Sequence, residues 1–304
     1  MKAAAFASIG GPEVMKVMEF PDPQAGPGQV RVKVKTAGVQ HYDTGVREGW
    51  SPFGVTISLP QILGNEFAGV IDQIGEGVTG FVIGDEVLGF SVVSCYAEYV
   101  VVSENQIVIK PETMTWEEAG GLTGNGQGAY IAMKALGVKE GETILIHGAA
   151  GSLGAFAVQL AKQWGAKKII GTASESNHDY LRSLGAIPVT YGEGLVERVR
   201  AIAPEGIDAA FDTAGAEAVR ASIELVADRK RICTFAAHEL IDELGLCVVR
   251  GERTAARLAE LTELHTKGKL RIVIKKSFPL SQVQLAHQLI ETRHGRGKIV
   301  LTID

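Results

Sequence analysis

One stretch, "ILIHGAAGSLGAFAVQLAK" at residues 144–162, runs from an apolar triplet through a turn of small residues into an amphipathic segment. Leu153, Phe156, Ala157, Leu160, Ala161 and Trp164 fall on one helical face. The same grammar then repeats. "KKIIGTA" precedes "NHDYLRSLG", with Gly185 as a natural stop, "IPVTY" precedes "GLVERVRAIA", "IDAAFDTAG" precedes "AEAVRASIELV", and "RKRICTFAA" follows. Short apolar strands alternating with helices need both sheet faces covered, which makes this an α/β region built on a parallel sheet.

The first ~110 residues read differently, as short strands punctuated by turns. "QVRVKVKTAGV" alternates at Val30, Val32 and Val34, as a half-buried strand should. The tail reads "KGKLRIVIKKSFP", then a helix opened by a capping box Ser281-x-x-Gln284, then a last strand "KIVLTI". Its grammar is that of the first unit, so the tail is expected to return and complete a β domain. A chain of 304 residues suits two domains. The expected division is 1–121 with 262–304 for the β domain, and 122–261 for the α/β domain.

The turn reads Ala149-x-Gly151-x-x-Gly154, a dinucleotide fingerprint with alanine in place of its first glycine. Gly151 lets backbone approach a pyrophosphate, and Gly154 lets helix pack closely on strand. The helix start at Ala150, Gly151, Ser152 and Leu153 would present free N–H groups and a positive dipole end to that phosphate. A tight strand-to-helix turn is the bland reading. The preceding strand and following helix favour cofactor binding. An NAD site wants an acid about 20 residues on, for the ribose 2′-OH. Here Ser174 follows "IIGTA", a hydroxyl that can donate to a 2′-phosphate which a carboxylate would repel. NADPH is therefore the expected cofactor, with neighbouring Glu175 required to point away.

Composition excludes other classes. A net charge of -5 and no basic run leave no footprint for nucleic acid or anionic membrane. The start, "MKAAAFASIGGPE", is too short and interrupted for a signal peptide, and no apolar run approaches a membrane span. Cys95, Cys233 and Cys247 are too few and scattered for a disulfide framework or zinc knuckle. The expectation is a soluble, cytoplasmic protein.

"HGAAGSLGAFAVQLAK", "LGNEFAGVI" and "GRGKIVL" together resemble the zinc-independent quinone oxidoreductase (zeta-crystallin-like) branch of the medium-chain dehydrogenase/reductase superfamily. The resemblance runs over nearly the whole chain. It implies a GroES-like β domain made of both chain ends, a Rossmann domain between them, and an active site in the cleft. In the zinc enzymes of that superfamily three positions hold the metal. Here they read Gln40, Asn65 and Gly124, which offer neither thiolate, imidazole nor carboxylate. No bound metal is expected.

By the same resemblance the 2′-phosphate contacts are Ser174, His178, where the family commonly has Lys, and Tyr191. The nicotinamide end would lie against Thr213, Ala214, Phe235 and Ala236. Gln40 and Tyr42 would face nicotinamide and substrate, with Trp50 as a wall and Asp43 and Arg47 as a structural pair bracing the loop. Gly128 stands where Thr is usual. The chain is short for the family between Ala237 and Thr254, which leaves a homodimer open, with "LCVVRG" as the candidate edge strand.

Without a metal to polarise a carbonyl, acceptors that are already electrophilic remain. The expected reaction is hydride transfer from NADPH to a quinone, with Gln40 and Tyr42 donating to the developing oxygen anion. Reduction of an enoyl or alkenal double bond is the alternative on the same scaffold. A non-catalytic NADPH binder, structural or RNA-associating, is the alternative from another class. Among the histidines, His41 could donate a proton or lie outside the pocket. His147 is expected to bond backbone, and His238, His265, His287 and His294 to lie at the surface. Cys233 is expected buried and inert.

Overall fold

The computed structural model describes residues 1–52, 54–292 and 295–304. His294 lies outside the described residues. The chain divides into two compact units, Met1–Gly124 with Arg253–Asp304, and Asn125–Glu252. The first opens with β1 (Lys2–Phe6), β2 (Met15–Glu19) and β3 (Gln29–Val39), then α1 (His41–Arg47). It continues through β4 (Gln61–Ile62), β5 (Glu66–Ile74), β6 (Glu86–Phe90), β7 (Tyr99–Ser103) and β8 (Ile107–Ile109). Helix α2 (Trp116–Ala135) then carries the chain onward. As the alternation in β3 requires, Val30, Val32 and Val34 are fully buried.

The second unit follows the repeated grammar. Its elements are β9 (Thr143–His147), α3 (Ser152–Gln163), β10 (Lys168–Thr172), α4 (His178–Leu184) and β11 (Ile187–Val189). Then come α5 (Leu195–Ile202), β12 (Ala209–Asp212), α6 (Ala216–Leu225), β13 (Ile232–Thr234) and α7 (Leu240–Leu244). The strands pair in parallel in the order β11-β10-β9-β12-β13. That is the doubly wound arrangement, with the strand order reversing beside β9, where such sheets bind ligands. Leu145, Ile170, Val199, Ala210, Val219 and Ile232 form its core. "LCVVRG" is not an edge strand. Leu246 and Cys247 are both buried while Val248 is exposed, so the segment does not alternate as a strand must. It gives β13 one hydrogen bond, from Cys247 N to Ile232 O at 2.9 Å.

The chain then returns through α8 (Ala255–Thr266), β14 (Ile274–Pro279), α9 (Val283–Glu291) and β15 (Lys298–Thr302). The return begins at Arg253 rather than at 262, because α8 packs on β8. A helix there reads like another repeat of the α/β region, which is why its place is not visible in the pattern. β15 pairs antiparallel with β3 and parallel with β14, giving the sheet β14-β15-β3-β5-β6-β8, to which β7 adds through β3. A smaller sheet runs β2-β1-β4. The capping box at Ser281 does not form. Helix α9 starts at Val283, and Gln284 instead donates through Nε2 to Met15 O at 2.8 Å and Glu13 O at 3.3 Å.

Candidate functional site

In the second unit β9 ends at His147 and the chain enters α3 with Gly151 at its N-cap. A Cβ on Gly154 would lie 2.4 Å from Gly148 O, so only glycine lets the helix pack this close. Gly151 is different. Its φ is -67°, and the one atom near an added Cβ is Gly148 O at 3.3 Å. Its backbone is one any residue adopts, and an added Cβ would meet Gly148 O closely but on that one side, so the missing side chain leaves the rest of the space at the turn open. Beside it Ser152 Oγ is buried without a hydrogen-bond partner, and so is His178 Nε2 at the start of α4. Buried polar atoms are normally paired, so orphans here point to an absent ligand.

The other residues of the nucleotide reading sit at carboxyl ends of neighbouring strands. Asp212 ties two of those ends together, at the close of β12. Its Oδ1 accepts from Ala214 N at 2.8 Å and Gly215 N at 3.0 Å, and its Oδ2 from Thr234 Oγ1 at 2.6 Å. Thr234 Oγ1 in turn accepts from Ala236 N at 3.0 Å and Ala237 N at 2.9 Å. Burial raises the Asp212 pKa while these bonds oppose the shift. Thr213 Oγ1 donates to His147 O at 2.8 Å, and Phe235 packs edge-on to Phe211 at 5.5 Å. Thr213 is thus tied to the end of β9 that opens the turn, and Ala214, Phe235 and Ala236 to the adjoining end of β12. Ser174 Oγ meets Asn177 Nδ2 at 2.9 Å and Ser176 Oγ at 3.1 Å, while Glu175 is exposed. Tyr191 is 60% exposed and hydrogen-bonded to neither Ser174 nor His178 among the described residues. His147 bonds side chains instead of backbone, Ser222 Oγ at 3.0 Å and Thr172 Oγ1 at 3.4 Å. Burial pushes its pKa down to about 4.

In the first unit Gln40 caps α1. Its N–H donates to Asp43 Oδ2 at 2.9 Å, and its Nε2 donates to Asn65 Oδ1 at 3.1 Å and Glu66 Oε1 at 2.7 Å. Glu66 also accepts from Lys298 Nζ at 2.6 Å and Gly124 N at 2.6 Å. Gly124 is required here, since a Cβ would fall 1.8 Å from Gln40 Nε2. Asp43 further accepts from Tyr96 OH at 2.8 Å and Asn65 Nδ2 at 3.2 Å, and burial pushes its pKa up to about 6. Arg253 donates through Nη1 to Asn65 O at 2.8 Å and Asn65 Oδ1 at 3.1 Å, and through Nη2 to Ser91 O. Tyr42 is half-buried against Trp50, ring to ring at 5.2 Å, and Trp50 itself is 52% exposed. Burial pushes the Tyr42 phenol up to about 12, with Arg253 acting against the shift.

The structure therefore brings Gln40, Asn65 and Gly124 together, but both Gln40 amide hydrogens are already taken. The expected Asp43–Arg47 pair does not form. Arg47 is fully buried and reaches Gly10 O at 2.8 Å, His287 Nδ1 at 3.0 Å, Glu48 and Glu291. His287, expected at the surface, is fully buried there, and burial plus the Arg47 charge push its pKa down to about 3. His265 is half-buried, 3.7 Å from Glu118, while His238 and His41 are exposed. Cys233 is buried with its pKa raised by burial. Sequence reasoning missed Asp212, Glu66, Lys298 and Arg253. An acid closing "AAFD" and a lysine opening "KIVLT" were the available signals for two of them. Nothing local marks Arg253.

Residues 26–112 match the family described as alcohol dehydrogenase GroES-like domain, and residues 184–301 match zinc-binding dehydrogenase. The quinone oxidoreductase of Pseudomonas aeruginosa is 30% identical, covering 99% of both chains. The structure of the quinone oxidoreductase from Coxiella burnetii superposes with a TM-score of 0.86 at 32% identity, covering 100% of this chain and 99% of that one. The Escherichia coli quinone oxidoreductase, solved in complex with NADPH, gives 0.87 at 27% identity over 99% of this chain and 100% of that one. The α/β unit with its fingerprint turn and the β unit built from both chain ends thus have full-length counterparts. This chain belongs to the quinone oxidoreductase branch of the medium-chain dehydrogenase/reductase superfamily, an oxidoreductase family.

Proposed function

We propose that this protein is an NADPH-dependent, zinc-independent reductase that passes hydride to a quinone. The observation that carries the cofactor reading is a pair of orphaned buried atoms, Ser152 Oγ next to Gly151 in the turn and His178 Nε2 at the start of α4. In this reading Ala150, Gly151, Ser152 and Leu153 hold the pyrophosphate. Ser174, His178 and Tyr191 hold the 2′-phosphate, and Thr213, Ala214, Phe235 and Ala236 the nicotinamide end. When bound, NADPH supplies the hydride. Relatives of the same branch, one solved with NADPH, support the assignment.

Tyr42 serves as a donor to the acceptor oxygen. Its phenol stays protonated well past neutral pH, because burial pushes its pKa up to about 12. Trp50 walls the acceptor. Gln40 orients the floor of that site through Asn65 and Glu66 rather than donating to substrate. The same bonds support the zinc-independent reading: Gln40 and Asn65 are neutral amides bonded to each other, and the adjacent Glu66 is bonded to Lys298. Among the described residues no three His, Cys, Asp or Glu side chains converge as ligands.

Following NADPH absorbance against a panel of quinones and a panel of enones tests the proposal. Quinone turnover unchanged by exhaustive chelation is the expected result. Enone turnover alone would make the protein a double-bond reductase, and NADPH binding without any turnover would make it a non-catalytic binder. In purified protein, stoichiometric zinc lost together with activity would end the metal-free reading.

A further inference from the structure

Arg253 is an unusual cation. It is half-buried at the first residue of the returning segment, its guanidinium stacked over Phe90 at 5.0 Å. No carboxylate among the described residues lies within ion-pair distance of it. Its bonds go only to neutral oxygens, Asn65 O, Asn65 Oδ1 and Ser91 O. The neighbouring carboxylates are engaged elsewhere, Asp43 by Gln40 N, Tyr96 and Asn65, and Glu66 by Lys298, Gln40 and Gly124. A guanidinium carries five N–H donors, and these three bonds leave Nε–H and one Nη2–H over. Removing a cation from water without an anion is costly, so such a group is strongly selective for negative charge when a ligand brings it.

Its position gives that selectivity a use. Asn65 Oδ1 accepts from both Arg253 Nη1 and Gln40 Nε2, so the cation and the Gln40 amide meet on one atom. The charge also reaches Tyr42, whose phenol it acts upon. Gln40 has no amide hydrogen left to offer. Beside the Tyr42 hydroxyl, the guanidinium is therefore a cation with hydrogens left to meet an oxygen anion.

We propose that Arg253 binds the acceptor oxygen on which negative charge develops, and that the protein selects acceptors whose reduced form is a phenolate-like or enolate-like anion. This rests on the reductase reading above. The acceptor gains a hydride, two electrons and one hydrogen, leaving NADP+ behind. The electron pair displaced from its C=O or C=C system comes to rest on oxygen. That anion sits on Arg253 until a proton from water completes the hydroquinone or the saturated carbonyl. Preorganised charge at such an oxygen acts on the transition state more than on the neutral substrate.

The test uses the full chain saturated with NADP+ and a nitrophenol, titrated by calorimetry between its neutral and phenolate forms. Wild type is expected to bind the phenolate at least 10-fold more tightly than the phenol. Arg253→Met should lose that preference and about 100-fold in kcat, with NADPH affinity within a factor of two. Arg253→Lys should keep part of both, and it covers the case in which the methionine variant does not fold. A lysine variant with no charge preference, or a methionine variant that retains it, would overturn the proposal and leave Arg253 as a brace for Asn65 and Ser91. Arg253-dependent nitrophenolate binding in a protein that reduces neither quinones nor enones would sink the reductase reading and leave the anion site standing. Quinone turnover with no preference for the phenolate would do the reverse.

Discussion

The polar cluster around Gln40 and the turn around Gly151 are both buried and polar, yet they are built in opposite ways. Gln40, Asp43, Asn65, Glu66, Tyr96 and Lys298 bond one another, and none of their buried side-chain atoms lacks a partner. At the turn Ser152, and at the start of α4 His178, are left with unpaired buried atoms. A closed network holds a shape by itself. An open one is finished only by what binds to it. The first should fail through stability and the second through binding.

The largest expected effect breaks the closed network. Lys298→Met leaves the Glu66 carboxylate buried without its cation, and should cost about 3–5 kcal/mol in urea unfolding. Adding Glu66→Gln should recover much of that loss. In the second unit Ser152→Ala should change stability by less than about 0.5 kcal/mol, since no bond is broken. A Lys298→Met loss no larger than that of Ser152→Ala would erase the contrast.

Next comes the turn itself. Gly151→Val should weaken NADPH binding at least ~100-fold while the protein stays folded, because the branch enters the space that a pyrophosphate needs. Gly154→Val should instead prevent proper folding of the second unit, since its Cβ would overlap Gly148. Circular dichroism and NADPH fluorescence titration separate the two. Retained NADPH affinity in a folded Gly151→Val protein would reduce the turn to a turn.

Among the described residues each unit also buries one neutral histidine, and this sharpens the comparison with pH. His147 and His287 have folded pKa values pushed below the ordinary 6.5, to about 4 and about 3. The unfolded chain therefore binds more protons in this range, so their stabilisation is present above pH 6.5 and lost as pH falls toward 4. Asp43 works the other way. Its raised pKa, about 6, makes its contribution greatest in acid and lost as pH rises from 3.8 to 6. Each histidine should account for roughly 2 kcal/mol between pH 6.5 and 4.5. His147→Asn and His287→Gln should each flatten the urea midpoint over that window. A variant whose midpoint still falls as steeply as wild type would show that its histidine is not the source.

The smallest effect concerns Gly128 in α2. An added Cβ there meets only Leu153 Cδ1 at 3.5 Å and Phe235 Cε2 at 3.7 Å, ordinary contact distances, unlike the overlap at Gly124. Gly128→Ala should stabilise the protein by about 0.5–1 kcal/mol, read as a rise in Tm, whereas Gly124→Ala should lower it.

What could be read in advance follows the range of the interaction. The alternation of β3, the five strand–helix repeats and the fingerprint turn are encoded by residues close in sequence, so hydrophobic period and turn chemistry reveal them. The last strand also showed itself as "KIVLT", and its grammar pointed back to the first unit. The edge strand "LCVVRG" and the capping box at Ser281 failed because a local pattern was compatible with two outcomes and packing chose the other. Leu246 and Cys247 are buried together, and Gln284 found partners at Glu13 and Met15.

The sequence by itself determined the class of each unit and where a dinucleotide could approach, because Gly151, Gly154 and the strand before them lie within a dozen residues. Only the tertiary structure decided how the charges of the first unit are matched. Glu66 meets Lys298 from 232 residues away, Asn65 meets Arg253 from 188, and Arg47 meets His287 from 240. Pairings at such separations leave no period in the chain, since backbone geometry constrains neighbours within a turn or a strand. A partner brought by the return of the tail is fixed by sheet register and burial, which exist only once β15 lies beside β3.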